Sequence, residues 1–377
     1  MAKMRKVLKR ISILLAKQYT SIGGQAVIEG VMMRSPNAFV VAVRKPDGTI
    51  RLRRDQWFGL SKKLNFLKKP FLRGILMLIE TMANGIVSLN YSANIAMAEE
   101  EKAKALKKGK TLEEFEASQK KKEKVDIATF LTMAVSFTFG IGLFVFAPHA
   151  IAFGIGDLLG QNWTLDSFAF HVVDGIVKAL IFIGYIWGIS FMKDVYRVFQ
   201  YHGAEHKSIA TFEAGMDLTV ENARKFTKLH PRCGTSFVFF LILISIVLFS
   251  AVFTFIPVGQ NLPTLLRHVV AVLFKVVLML PVAGISYELI KASGKCSDQW
   301  WAKAMAAPGM LLQKLTTKEP DDSQLEVALS SIKAVLYLEE KYNLKEADQK
   351  VLKLEEVDIK SIVEMEDTNS TLNQFLE

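Results

Sequence analysis

SFVFFLILISIVLFSAVFTFIPV, residues 236–258, carries no Asp, Glu, Lys or Arg. A hydrocarbon core about 30 Å thick is crossed by a helix of about 20 mostly apolar residues, and this stretch meets that requirement. Three further windows meet it, at residues 127–150, 170–192 and 265–290, the last interrupted by Lys275 and Pro281. A fifth apolar stretch, 71–98, contains Arg73, Glu80, Asn84, Asn90 and Asn94. It is expected to form an amphipathic, partly embedded helix rather than a span. The pattern predicts a mainly α membrane protein: a bundle of about four transmembrane helices with a small α+β cytoplasmic portion.

Direction follows from Lys and Arg, which are retained on the cytoplasmic side. Residues 102–124, before the first span, are rich in lysine, and residues 151–169 contain no Lys or Arg. Lys193, Arg197, Lys207, Arg224, Lys225, Lys228 and Arg232 lie between the second and third spans. Only Arg267 precedes the fourth, and Lys291, Lys295 and Lys303 follow it. The alternation predicts a multi-pass protein of the cell membrane with both termini cytoplasmic.

Composition agrees with a membrane core between charged ends. Of 377 residues 51% are hydrophobic, and they concentrate between Ile127 and Ile290. The net charge of +10 is divided along the chain, basic up to Arg73 and acidic after Lys318. Near the amino end, Val7, Leu8, Ile11, Leu14 and Leu15 share one face of an expected basic amphipathic helix on anionic lipid. The bilayer is therefore the first expected partner. Nucleic acid is not expected, because no recognition module or aromatic-basic interleaving is present. Cys233 and Cys296, the two cysteines, make no disulfide framework.

Six segments follow. Residues 1–70 form a basic amino-terminal portion, in which Lys45-Pro46-Asp47-Gly48 joins two short β-like runs as a hairpin. Residues 71–126 hold the amphipathic helix and a charged linker, and 127–192 the first pair of spans. Residues 193–235 are a cytoplasmic loop, 236–290 the second pair, and 291–377 a helical tail. In that tail Ser323 and Glu326 have capping-box spacing. Leu325, Ala328, Leu329, Ile332, Val335 and Leu336 then fall on one face, which must pack on the cytoplasmic portion or on a partner.

The strongest chemical signal is Tyr201-His202-Gly203-Ala204-Glu205-His206. Imidazoles at i and i+4 lie one above the other on a helix and can reach one ion. The pattern also fits the H-x-x-E-H arrangement of inverted zinc peptidases, in which the glutamate is a general base. His230-Pro231-Arg232-Cys233-Gly234 lies in the same loop. Nitrogen and thiolate donors together favour Zn²⁺ over Mg²⁺ or Ca²⁺. His202, His206, His230 and Cys233 suffice for a closed four-ligand structural site. Alternatively, three of them hold the metal and leave a position for water, with Glu205 as base. The sequence leaves both open. The ordinary reading is a polar patch where a helix leaves the bilayer, with Cys233 a small buried residue.

Three other groups bear on chemistry. Glu29 and Arg34, in a glycine-rich segment, read as an acid and a substrate anchor, or as a surface ion pair. Glu288 sits at the cytoplasmic end of the fourth span, either completing a His-His-Glu site or meeting solvent. Asp174 and Lys178 have i, i+4 spacing within a span, and Lys275 lies deep in another, where snorkelling or an ion pair is the simpler account.

Six stretches in order carry a family resemblance: GGQAVIEGVMMR (23–34), PFLRG (70–74), YHGAEHKSIATFE (201–213), HPRCGTSF (230–237), AGISYELIK (283–291) and PGMLLQKLTTKEPDDSQLEVAL (308–329). With them the chain from Ile22 to about Leu338 resembles the YqhQ-like family of bacterial membrane proteins, a family of unknown function with a predicted metal-dependent activity. The resemblance implies a membrane location and a metal site, and brings no substrate.

Two functions from different classes are expected to compete. The first is a zinc-dependent hydrolase at the cytoplasmic interface acting on a peptide or lipid headgroup. His202, His206 and a third group from His230, Cys233 or Glu288 hold the ion, Glu205 is the base, and Arg34 or Arg232 steadies negative charge. The second is a non-enzymatic scaffold or accessory to protein insertion or transport, with a structural metal site. Its partners would be a membrane protein complex or a second copy of the chain. A transporter, resting on Asp174, Lys178 and Lys275, stands third.

Overall fold

The computed structural model describes residues 22–57, 69–107, 127–161, 163–231, 233–256, 258–295, 299–342 and 354–365. The amino-terminal amphipathic helix, most of the charged linker, Arg232 and Cys296 lie outside them. The described elements run in order β1 (Gly23–Val27), β2 (Gly30–Arg34), β3 (Ala38–Arg44), β4 (Ile50–Gln56), α1 (Leu72–Lys107) and α2 (Ile127–Ile141). A π-helical stretch (Gly142–Phe146) joins α2 to α3 (Ala147–Leu158). Then come α4 (Phe168–Ile189), α5 (Lys193–Glu213), α6 (Val220–Arg224), α7 (Gly234–Phe255), α8 (Thr264–Lys295), α9 (Trp300–Thr316), α10 (Asp322–Lys341) and β5 (Glu355–Ile359).

The five strands form one antiparallel sheet in the order β1-β2-β3-β4-β5. The expected hairpin is its β3–β4 pair, with Arg44 opposite Ile50 and Gly48 taking the positive φ of the turn. The glycine-rich segment holding Glu29 and Arg34 is itself a second hairpin, β1–β2. The tail beyond Tyr342, outside the resemblance, supplies β5, which pairs with β4 from Ile50–Ile359 to Arg54–Glu355.

Alternate residues of the strands point to opposite sides, and both sides are covered. On one, Val31, Met33, Val40, Ala42 and Leu52 pack with Tyr201 and Phe212 of α5 and with the apolar face of α10. That tail face, left unpartnered by the sequence, is therefore filled by the chain's own sheet. Its cap differs from the expected one: Asp321 and Gln324 exchange side-chain-to-backbone bonds of 2.9 and 3.0 Å, while Glu326 pairs with Arg44 at 2.7 Å. On the other side, Val27, Met32, Phe39, Val41 and Val43 pack against Trp57 and against Tyr91 and Ile95 of α1.

Among the described residues, five helices are long and apolar enough to cross a membrane: Leu72–Ala98, Ala134–Leu158, Phe168–Ile189, Phe237–Phe255 and Leu266–Ser293. The chain is thus a multi-pass membrane protein. Four of the five match the expected windows; the fifth is the stretch read as partly embedded. Its contacts are unusual for a span. The Ile28 amide donates to Ser92 Oγ at 3.2 Å, and Arg53 lies 5.1 Å from the Tyr91 ring, so α1 runs along the sheet. Among the other four, Phe170, Phe249, Phe253, Ala271 and Val282 form a buried cluster. Asp174 contacts Lys178 at 3.6 Å within its helix and Lys275 at 3.2 Å across to α8, the ion pair expected for that intramembrane lysine.

Candidate metal centre

The site forms where α5 lies against β1, the start of α7 and the end of α9. Helical spacing stacks His202 over His206, with ring centroids 4.5 Å apart. The turn after α6 returns the chain so that Cys233 caps α7, and its Sγ comes 3.2 Å from His202 Nε2. One ligand atom each from His202, His206 and Cys233 lie within 4.8 Å of one another. Zinc with bonds of about 2.0–2.3 Å sets such atoms roughly 3–4 Å apart, so small adjustments would seat it.

The imidazole tautomers follow from their outer partners. Nδ1 of His202 lies 2.9 Å from the Thr316 carbonyl oxygen, and Nδ1 of His206 lies 2.6 Å from that of Lys228. A carbonyl only accepts, so each Nδ1 carries the proton and each Nε2 offers a lone pair to the cluster. His206 Nε2 is buried with no hydrogen-bond partner. A buried orphan acceptor beside a second imidazole and a thiol is the donor set that zinc satisfies. Burial pushes the His206 pKa down to about 2, which keeps the ring neutral. Burial also pushes the Cys233 thiol up to about 12, while the Thr235 amide and hydroxyl donate toward its sulfur at 3.5 and 3.3 Å.

Glu205 is buried beside the cluster, with Oε2 3.5 Å from His206 Nε2. Burial raises its pKa against the lowering effect of His202, His230 and the Gly24 backbone. Gly24 of β1 makes room for it: a Cβ there would lie 2.7 Å from Glu205 Cγ. At Gly203 a Cβ would fall 2.1 Å from the Lys318 carbonyl oxygen, so the Thr316–Pro320 connection passes directly over α5. That approach brings the Thr316 carbonyl to His202.

The other expected residues divide. His230 lies one ring further out, 5.7 Å from His206 between centroids, and turns Nε2 to Glu213 at 3.3 Å. Its backbone is clamped by Gln313, which accepts from His230 N at 2.9 Å and donates to His230 O at 2.8 Å. Glu288 is not brought to the cluster: Arg73 and the Phe71 amide of the PFLRG stretch hold it. Glu29 also lies away from the site, paired with Arg197 at 2.5 Å. Arg34 lies nearer, lining a cavity of about 260 Å³ between β1, β2, α1, α7 and α8 that Cys233 also lines. Arg232 lies outside the described residues.

Sequence reasoning missed the groups that hold these side chains: the carbonyls of Thr316 and Lys228, the Gln313 clamp and the space at Gly24. Their signal was present, since each of Gly24, Gln313 and Thr316 falls within a stretch carrying the resemblance. All six stretches meet around this site.

Comparison with known proteins gives the same grouping. Residues 69–338 match the family described as "Protein of unknown function (DUF1385)". The chain is 37% identical over 329 residues to a Bacillus subtilis (strain 168) protein described as "Uncharacterized protein YqhQ", spanning 84% of this chain and 92% of that protein. No solved structure makes a significant match. The chain belongs to the DUF1385 family of proteins of unknown function.

Proposed function

We propose that the chain is a zinc-dependent hydrolase whose site faces the cytoplasmic surface of the cell membrane. The observation that carries this reading is a three-donor cluster of His202, His206 and Cys233 that adjoins a buried carboxylate, Glu205, and whose Cys233 also lines a cavity containing Arg34. Three protein donors leave a position for substrate or water, as in catalytic zinc sites. When bound, zinc supplies Lewis-acid chemistry, activating water and polarising a scissile group. Glu205 takes the proton from the attacking water and returns it to the leaving group. Arg34 faces the negative charge that develops in the cavity. The carbonyls of Thr316 and Lys228 fix both imidazoles so that neither ring can turn away.

Orientation rests on the sheet. Strands from residues 23–56 and 355–359 pair within it, so the chain between them crosses the bilayer an even number of times. Of the five helices able to cross among the described residues, α1 is the one with sheet contacts, which supports four crossings by the others. The segments joining the spans on the sheet side are rich in Lys and Arg, and residues 159–166 on the far side contain neither. Both termini and the site are accordingly cytoplasmic.

The scaffold reading has less support. A closed structural site would need His230, whose ring centroid lies 5.7 Å from that of His206, to move in as a fourth donor, and the tail face offered for docking is covered by the sheet.

The test uses Glu205→Gln in purified full-length protein assayed on peptide and phosphoester probes. Metal content should stay at the wild-type level while turnover disappears; retained turnover would remove Glu205 from the mechanism.

A further inference from the structure

The cavity beside the cluster has a composition that selects its occupant. Arg34, at the end of β2, is its cation. The guanidinium lies 5.2 Å from the Trp57 ring, and its Nη2 meets the Met77 sulfur at 2.9 Å. No carboxylate among the described residues lies within ion-pair distance of it, and burial lowers its pKa against the more distant charge of Glu80. A ring and a thioether leave most of the guanidinium's donors available. Their fixed fork matches the paired oxygens of a phosphate.

The walls around this cation are mostly apolar, Thr81 and Asn84 of α1 being the polar exceptions, and most of the apolar ones come from α1, α7 and α8. Met77 and Leu78 come from α1, Phe237 from α7, and Tyr287 and Ile290 from α8. At about 260 Å³ the space takes a headgroup and excludes long chains. The chains have somewhere to lie. On the neighbouring face of α1, Ile79, Met82 and Ile86 are 51%, 58% and 56% exposed, at helical spacing that aligns them in one stripe. The opposite side of that helix is held by the sheet through Tyr91 and Ile95. A helix with one face on a soluble sheet and an apolar stripe facing outward lies in the interface plane, where headgroups are found.

From this we infer that the cavity binds the anionic headgroup of a phospholipid, with the phosphate on Arg34 and the acyl chains along the α1 stripe. The inference deepens the hydrolase reading by naming its substrate class, and it places the phosphoester beside Cys233. It commits to a lipid and not to free phosphate, because only an amphiphile uses both the cation and the apolar stripe.

Binding is measured, without turnover, by native mass spectrometry of the full-length protein in mild detergent. The probes are short-chain phosphatidic acid, the matching diacylglycerol and inorganic phosphate. Wild type should bind phosphatidic acid one to one, and Arg34→Gln should bind it about tenfold or more weakly, the loss of a charge-assisted bond. Gly23→Leu is the second variant: Gly23 lines the cavity and has no atom within 4 Å of a Cβ position, so the leucine fills the space without a clash. It should also lose binding. Wild-type affinity in both variants, or wild-type binding of diacylglycerol or inorganic phosphate as tight as that of phosphatidic acid, would each overturn the inference. Repeating the measurement on chelator-stripped protein separates the readings. Lipid binding that survives stripping supports the lipid site whatever becomes of the hydrolase; a cavity that ignores lipid while the Glu205→Gln result holds leaves the hydrolase with another substrate.

Discussion

Gly24 and Glu205 touch. A Cβ added at residue 24 would sit 2.7 Å from Glu205 Cγ and 2.8 Å from Oε1, so the backbone of β1 forms the wall behind the carboxylate. Gly24→Ala must therefore push Glu205 off its place beside His206. Overpacking of this kind costs about 1–3 kcal/mol. The expected outcome is a lower thermal midpoint in detergent and lost turnover, with zinc retained. An unchanged midpoint would mean that the strand can yield, and that Gly24 does not set the position of Glu205.

Gln313 satisfies both the amide and the carbonyl of His230. Gln313→Leu removes the two bonds and leaves both backbone groups buried. Each unsatisfied group costs about 1–3 kcal/mol. Unfolding followed by heating should show a loss of about 2–6 kcal/mol for the two groups, and Gln313→Glu should be milder because one acceptor remains. Equal effects of the two substitutions would argue that the clamp is packing alone.

Within the membrane, Asp174 holds Lys275 at 3.2 Å from a neighbouring helix. Asp174→Asn strips the carboxylate from a buried lysine, a break worth about 3–5 kcal/mol in buried pairs. The double variant Asp174→Asn/Lys275→Met should regain part of that loss, because the more deeply buried of the two lysines beside Asp174 is removed with its partner while Lys178 still lacks its own. Strictly additive losses in the double-mutant cycle would show that the two side chains are not coupled.

The even number of crossings yields a topological prediction. If α1 lies along the sheet, an epitope inserted after Lys110 sits on the same side as one inserted after Asp47. Antibody access in inverted vesicles should be equal for both. Access to the Lys110 tag only from the opposite side would make α1 a fifth crossing.

Legibility in the sequence followed physical range. The spans were readable because a run without charge has one stable solvent, and residues 236–258 carry that message alone. The β3–β4 hairpin was readable from its turn residues. Strands β1 and β2 were not, since their glycines suggest turns and their pairing is decided by the sheet they join. Strand β5 was hidden for a similar reason: Glu355, Glu356 and Asp358 look like solvated tail until Arg51 and Lys45 stand opposite. The His202, His206 and Cys233 grouping came through because helical spacing fixes half of it. Glu288, which the sequence left between a ligand and a solvated helix end, is held by Arg73, because a carboxylate at a helix end meets whichever cation the fold brings.

The proposed hydrolase stands or falls on whether His202, His206 and Cys233 hold zinc. Elemental analysis of wild type and of His202→Ala/His206→Ala, purified in mild detergent with folding verified, tests it most directly. The expected result is about one zinc per chain in wild type, the occupancy of a single tetrahedral site, and none in the double variant. A folded wild type that holds no zinc after supplementation, or a double variant that holds as much as wild type, would contradict it.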